Sequence, residues 1–300
     1  MLPISVVSEY ERIIKPILLE AGLKEKSNKY HNNIFDDHVK FYLLLLKEES
    51  KKSYRDITEF IKRNGIHRNL MLKKIPHFTT LQKFLQRIGE DAFRRVVQKI
   101  YACLKKDEKI VGVDSTGIEI IHASAHYLKR IEEEKATFVK ASLMVNASSR
   151  AIADCYAVAG KPHDMKMLQE HLKCIQGHKF GHFVADKAYD SNELYWKLKK
   201  MGIVMVVPQR QFRKEGFYTR TRGSIISRKR EKLFDEEIYH QRSLVESVNS
   251  SIKRRFGSFV NSTRAQNMVK QVYLKAALYN LGLLRAQVEK IIFWLLMVGA

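Results

Sequence analysis

Three acids stand where they could do chemistry together. Asp114 closes a short apolar run, Lys109-Ile110-Val111-Gly112-Val113-Asp114, and Asp186 closes another, Phe183-Val184-Ala185-Asp186. Glu246 ends the stretch Tyr239-His240-Gln241-Arg242-Ser243-Leu244-Val245-Glu246. Phosphodiester cleavage builds negative charge on both the attacking and the leaving oxygen. Two divalent ions ~4 Å apart neutralise it, and clustered carboxylates hold them. Such carboxylates must project from rigid elements. The plain alternative is that each Asp caps a turn. If all three share one pocket they repel, so at least one carboxyl is expected to have a raised pKa.

Around Glu246 the spacing adds further groups. At ~100° per residue, Tyr239, Arg242, Glu246 and Lys253 fall within about 60° of arc, so one helix face carries them all. Asn249 shares that face. The competing reading is a salt-bridged surface helix in which Arg242 pairs with Glu246 at (i, i+4). Spacing alone leaves both open. Asp190 reads as a second acid or, with Ser191, as a helix N-cap. Glu119 points inward only if the first strand continues. His122, His126 and His163 read as structural or surface residues, and no Ser-His-Asp arrangement is legible.

The elements that must position these acids alternate. Residues 109–114, 137–146 and 151–158 read as strands, the last two joined by the turn-prone Ala147-Ser148-Ser149-Arg150. A helix over 164–174 follows, with Asp164 as its candidate cap. Then come a strand over 179–186, a helix over 191–201 and an apolar strand over 203–207 stopped by Pro208. Helices are expected over 236–255 and 268–284. This is a mixed α/β order. The N-terminal third reads instead as helices, with apolar stripes at Ile13, Ile14, Ile17 and Leu18 and at Val39, Tyr42, Leu43 and Leu46. A helix starting at Ser53 and stopping at Asn64-Gly65, then one capped by Thr79 or Thr80, suggests a helix-turn-helix. The expected division is a helical, DNA-binding domain over 1–105 and a catalytic domain over 106–300, with a basic insertion at about 209–237.

Charge names the partner. Lys+Arg 54 against Asp+Glu 32 leaves a formal net charge of +22, which calls for a polyanion. Residues 209–232 concentrate nine basic side chains against two acidic ones, interleaved with Phe212, Phe217 and Tyr218. Basic groups among aromatics suit a nucleic-acid backbone and its bases, so Arg220, Arg222, Arg228 and Arg230 are expected to contact DNA. The alternative is a solvated loop. Three cysteines, none close to another in sequence, exclude a disulfide scaffold. No apolar run reaches the ~20 residues of a membrane span, and no leader peptide is legible, so a cytoplasmic location without membrane contact is expected.

These residues also resemble a known family. Tyr239, Arg242, Glu246 and Lys253 reproduce the Y-(2)-R-(3)-E-(6)-K signature of DDE transposases of prokaryotic insertion sequences. Val113-Asp114-Ser115-Thr116 resembles the segment around that family's first acid. Ala185-Asp186-Lys187-Ala188-Tyr189-Asp190-Ser191 resembles the second, with Ala188 where Gly is usual. The likeness spans roughly residues 108–285, with a looser match over 53–90. It implies a ribonuclease-H-like catalytic fold after an all-α N-terminal domain. It also implies magnesium, or manganese in its place, held by Asp114, Asp186 and Glu246. Tyr239, Arg242 and Lys253 would contact phosphates. The partners implied are the terminal inverted repeats of a transposon and target DNA, bridged by a homodimer. The reaction implied is cleavage at transposon ends and strand transfer. A nuclease without strand joining and a non-enzymatic DNA-binding regulator are the alternatives.

Overall fold

The computed structural model describes residues 9–26, 34–104, 107–121, 138–209 and 228–298. They fall into two compact units, Met1–Leu104 with Glu119–Lys135 and Arg254–Ala300, and Lys105–Ile118 with Ala136–Lys253.

The first unit is helical. A π-turn, Tyr10–Ile14, runs into α1 (Lys15–Glu20), followed by α2 (Asp37–Glu49), α3 (Tyr54–Arg63), α4 (Ile66–Asn69), α5 (Phe78–Arg87) and α6 (Glu90–Cys103). Ser53 begins α3 as read, its Oγ accepting from the Asp56 N–H at 3.2 Å. Gly65 takes the left-handed conformation, φ 63°, that turns the chain between α3 and α4. The cap of α5 differs from expectation. His77, one turn before Thr80, accepts from the Thr79 N–H through its ring nitrogen at 3.4 Å. A long helix, α11 (Ala265–Val298), packs chiefly on α6 and α2 and buries Val272, Tyr273, Leu274, Ala277, Leu278 and Leu281. The described residues from 254 onward thus fall in one unit with the N-terminal helices, although the sequence reading grouped them with 106–253. Their charges are matched from within the unit: Arg285 reaches Glu9 at 2.6 Å and Glu49 at 2.5 Å.

The second unit carries the sheet. Its strands are β1 (Ile110–Ile120), β2 (Phe138–Asn146), β3 (Ile152–Ala159), β4 (His182–Ala185) and β5 (Val204–Val206), in the order β3-β2-β1-β4-β5. β2 and β3 are antiparallel, while β4 is parallel to both β1 and β5. The turn between β2 and β3 is closed by Asn146, whose Oδ1 accepts from the N–H groups of Ser148 at 2.9 Å and Ser149 at 3.2 Å. Between the strands lie α7 (Asp164–Ile175) and α8 (Asn192–Lys200); α9 (Glu236–His240) and α10 (Arg242–Phe256) follow β5. β1 is longer than the sequence suggested, and its last two residues belong to the first unit, where they pair in parallel with β6 (Phe259–Val260).

This is the mixed sheet flanked by helices, after a helical N-terminal region, that a ribonuclease-H-like reading requires. The strands are continuous apolar runs because the sheet is buried: Val111, Val113, Phe183, Val184 and Val206 are all fully enclosed. No helix among the described residues is long and apolar enough to cross a membrane.

Candidate active site

The register of β1 and β4 decides where two of the acids go. Val113 is paired with Ala185, so Asp114 and Asp186 are each the next residue along two adjacent parallel strands. Neighbouring strands lie ~4.8 Å apart, which sets the two acids side by side; Asp186 follows the end of β4, whereas Asp114 lies within β1, which runs on to Ile120 instead of ending at the acid as the sequence suggested. The C-terminal end of a parallel strand, here that of β4, is where α/β sheets present reactive groups.

The third acid comes from α10. Val245, Val248, Ile252 and Phe256 are buried, so this stripe faces the protein while Glu246, Ser247 and Ser250 face outward. The contact is close because Gly112 has no side chain. A β-carbon there would collide with Cγ2 of Val245 and stand 3.2 Å from Cγ2 of Val184. Asn249 lies in the buried stripe, 6% exposed, and its Nδ2 donates to Oδ2 of Asp114 at 2.9 Å.

Glu246 is half exposed and pairs with Arg242 at 2.7 Å, the (i, i+4) bridge that spacing had left open. The continuous helix expected over 236–255 is broken at Gln241, so Tyr239 ends α9 while Arg242 opens α10. The two still meet, with the guanidinium carbon 6.0 Å from the Tyr239 ring centre. Lys253 is half-buried on α10. Among the described residues, no group of three or more His, Cys, Asp or Glu is gathered tightly enough to hold a metal ion.

The Asp114 carboxyl is held above its ordinary pKa. Burial is the main cause; hydrogen bonds from the Ser115 N–H and from Asn249, with the Arg242 charge, work against it, and Glu246 adds the smallest push upward. The raised pKa expected from carboxylate repulsion is therefore present, but desolvation produces most of it.

Behind the strand ends lies a polar network that sequence reasoning missed. Tyr189, 2% exposed, places its hydroxyl 3.1 Å from Ser115 Oγ. Burial lifts its pKa well above the usual tyrosine range, and the charges of Asp164 and Asp114 lift it further. Asp164 is bound by Lys140 at 2.9 Å. Burial pushes its carboxyl upward, but hydrogen bonds from Lys140 and Ser115 outweigh that and hold it below the ordinary value. The cap of α7 is His163 rather than Asp164.

Deeper still, His171 contacts Asp154 at 2.7 Å and Ser142 at 3.0 Å, an arrangement like a hydrolytic triad. All three residues are fully buried, so no substrate reaches the serine, and the trio serves packing rather than acyl transfer.

The basic segment resolves unevenly. Arg220, Arg222 and the aromatics Phe212, Phe217 and Tyr218 lie outside the described residues, as do His122 and His126. Arg228 is exposed. Arg230 is not a free phosphate-binding cation as expected: it is 6% exposed, pairs with Asp190 and donates to Asn192 Oδ1 at 3.2 Å. Asp190 is thereby spoken for, and Ser191 caps α8, its Oγ accepting from the Leu194 N–H at 3.4 Å. Glu119 is exposed, and its N–H donates to Ser258 within the first unit.

With the geometry in place, comparison with known proteins identifies the lineage. No curated protein matches the chain significantly. Among solved structures it is similar to the piggyBac transposase in a synaptic complex with hairpin DNA, at 10% identity and a TM-score of 0.45, over 94% of this chain and 72% of that one. The model of the transposase DDE domain matches residues 105–281, more than half of the chain and all three acids. The chain belongs to the family of transposase DDE domains, nucleic-acid-cleaving enzymes that generally use divalent metal ions.

Proposed function

We propose that this protein cuts the phosphodiester at the ends of a transposon and joins the freed 3′-OH to target DNA. Asp114, Asp186 and Glu246 are its metal-binding carboxylates. The observation that carries the reading is the register that sets Asp114 and Asp186 level on adjacent parallel strands, with α10 pressed against Gly112 beside them.

The donor types suit a hard divalent cation, although the three carboxylates are not gathered around one point here. Every donor is an oxygen, which suits magnesium or manganese. Asp114 is a desolvated carboxyl whose ionised form needs a positive neighbour. Magnesium bound there supplies charge neutralisation for the attacking and leaving oxygens. The protein's own share is positional. Asn249 fixes Asp114, and the Ser115–Tyr189 contact holds the next residue of β1. Arg242 sits between the Tyr239 ring and Glu246. It holds Glu246 until DNA arrives, then turns toward a phosphate, freeing the carboxylate to join the other two. Lys253 and Tyr239 extend the same phosphate contact. The substrates are the terminal inverted repeats and target DNA, held by a homodimer that brings two ends together.

The test uses a plasmid bearing the element's own two ends, with magnesium or manganese added. Asp114→Asn, Asp186→Asn and Glu246→Gln should each abolish cleavage while binding to the ends persists. Near-normal cleavage by any of them removes that residue from the site. Cleavage by the wild type without a joined product would favour the nuclease reading.

A further inference from the structure

We infer that Asn249 is itself a metal ligand of this site, binding through its side-chain carbonyl oxygen beside Asp114. The inference rests on the reading of Asp114 as a metal-binding carboxylate and adds a neutral donor to it.

Three observations meet at this residue. Its amide is committed at one end only: Nδ2 donates to Asp114 Oδ2 at 2.9 Å, whereas Oδ1 is sealed from solvent and has no hydrogen-bond partner among the described residues. Buried acceptors in folded proteins are almost always satisfied, and an oxygen without a partner leaves nothing at that end of the amide to hold it in this orientation. Its place is fixed, because Asn249 interrupts the apolar stripe Val245, Val248 and Ile252 that presses α10 on the sheet. An aliphatic residue would pack better there, so an amide in that stripe has a polar task. Its chemistry is right as well, since side-chain carbonyls of Asn are ordinary ligands of hard divalent cations alongside carboxylates.

The arrangement also explains how a buried carboxylate is tolerated in the metal-free state. The NH2 group of Asn249 occupies the flank of Asp114 that a cation would take. Rotation of the amide about its last torsion exchanges NH2 for oxygen. The same residue then serves Asp114 as a donor without metal and stands beside it as a second ligand when metal binds.

The experiment is Mn2+ binding to the full chain, read by electron paramagnetic resonance without DNA. A parallel titration uses Cd2+, read by thiolate-to-metal ultraviolet absorption. Asn249→Ala is expected to weaken Mn2+ at least about tenfold, the scale on which supporting groups act at metal sites. Asn249→Cys should lose Mn2+ similarly but bind Cd2+ at least about tenfold more tightly than wild type, because a soft thiolate ligand prefers the softer ion. The wild type supplies the baseline for Cys103, Cys155 and Cys174. If the alanine variant fails to fold, Asn249→Leu, which is close in size, replaces it. Unchanged Mn2+ affinity in Asn249→Ala overturns the inference. So does Asn249→Cys without gain in Cd2+, since a residue that merely orients Asp114 would not change the metal preference. Asp114→Asn separates the two levels of the argument. Loss of Mn2+ there with normal binding by Asn249→Ala defeats this inference alone; normal binding by Asp114→Asn defeats the reading beneath it.

Discussion

Gly112 and Val245 are packed so closely that β1 and α10 touch through bare backbone on one side and a methyl group on the other. This contact sets the distance between the strand bearing Asp114 and the helix bearing Glu246 and Asn249. Gly112→Ala should push α10 outward. Overpacking of this kind costs about 1–3 kcal/mol, measured by urea unfolding, and DNA cleavage should fall with it. The double variant Gly112→Ala/Val245→Ala should recover most of both. If the single variant is as stable and active as wild type, the helix is not set by this contact.

Asp114 has a raised folded-state pKa, caused first by burial. The sign of its effect on stability follows from linkage. Around and above the ordinary carboxyl value the folded state binds more protons than the unfolded state, so stability falls as pH rises through the folded pKa. Without metal, Asp114→Asn should therefore melt higher than wild type at pH 7, and the gain should shrink as pH is lowered toward 4. An isosteric variant that melts lower at pH 7 would show that the ionised carboxylate stabilises the fold.

Arg230 and Arg228, two residues apart, should behave as different kinds of residue. Arg230 is buried against Asp190. Arg230→Gln strands a mostly buried carboxylate and should cost on the order of 3 kcal/mol, as breaking other buried pairs does. Arg228 is exposed. Arg228→Gln should leave stability within about 0.5 kcal/mol and, if it meets a phosphate, reduce the log–log salt slope of DNA binding by ~0.9. Equal stability of the two variants would contradict the burial of Arg230.

Lys275 is a buried cation of α11. Its ammonium donates to the carbonyls of Gly257 at 2.8 Å and Phe259 at 2.5 Å, and burial lowers its pKa from 10.5 to about 8. Here the unfolded state binds the extra proton between those values, so the lysine's contribution to stability rises with pH across that window. Relative to Lys275→Met, the wild type should gain about 3 kcal/mol between pH 7.5 and 10.5. Parallel stability curves for the two proteins over that range would mean the ammonium is better solvated than its burial implies.

Much of the architecture was legible in the residues. The order of strands and helices from 109 to 207 followed from apolar runs punctuated by Pro208, Gly202 and the 147–150 turn. Local periodicity is what those elements obey. Asp114 and Asp186 were recognisable because each follows a short apolar run, although Asp114 proves to lie within its strand and only Asp186 follows the end of one. Tertiary structure decided what depends on register and on which face meets which. The pairing of Val113 with Ala185 brings the two acids level, and no local pattern encodes the offset between strands 72 residues apart. The break at Gln241, the diversion of Arg230 to Asp190 and the burial of Ser142, His171 and Asp154 together were likewise invisible, since each depends on residues distant in sequence. Asn249 shows the division most clearly. Sequence placed it on the face of Glu246, but only the closeness of α10 to β1 turned its amide toward Asp114 and left its oxygen without a partner among the described residues.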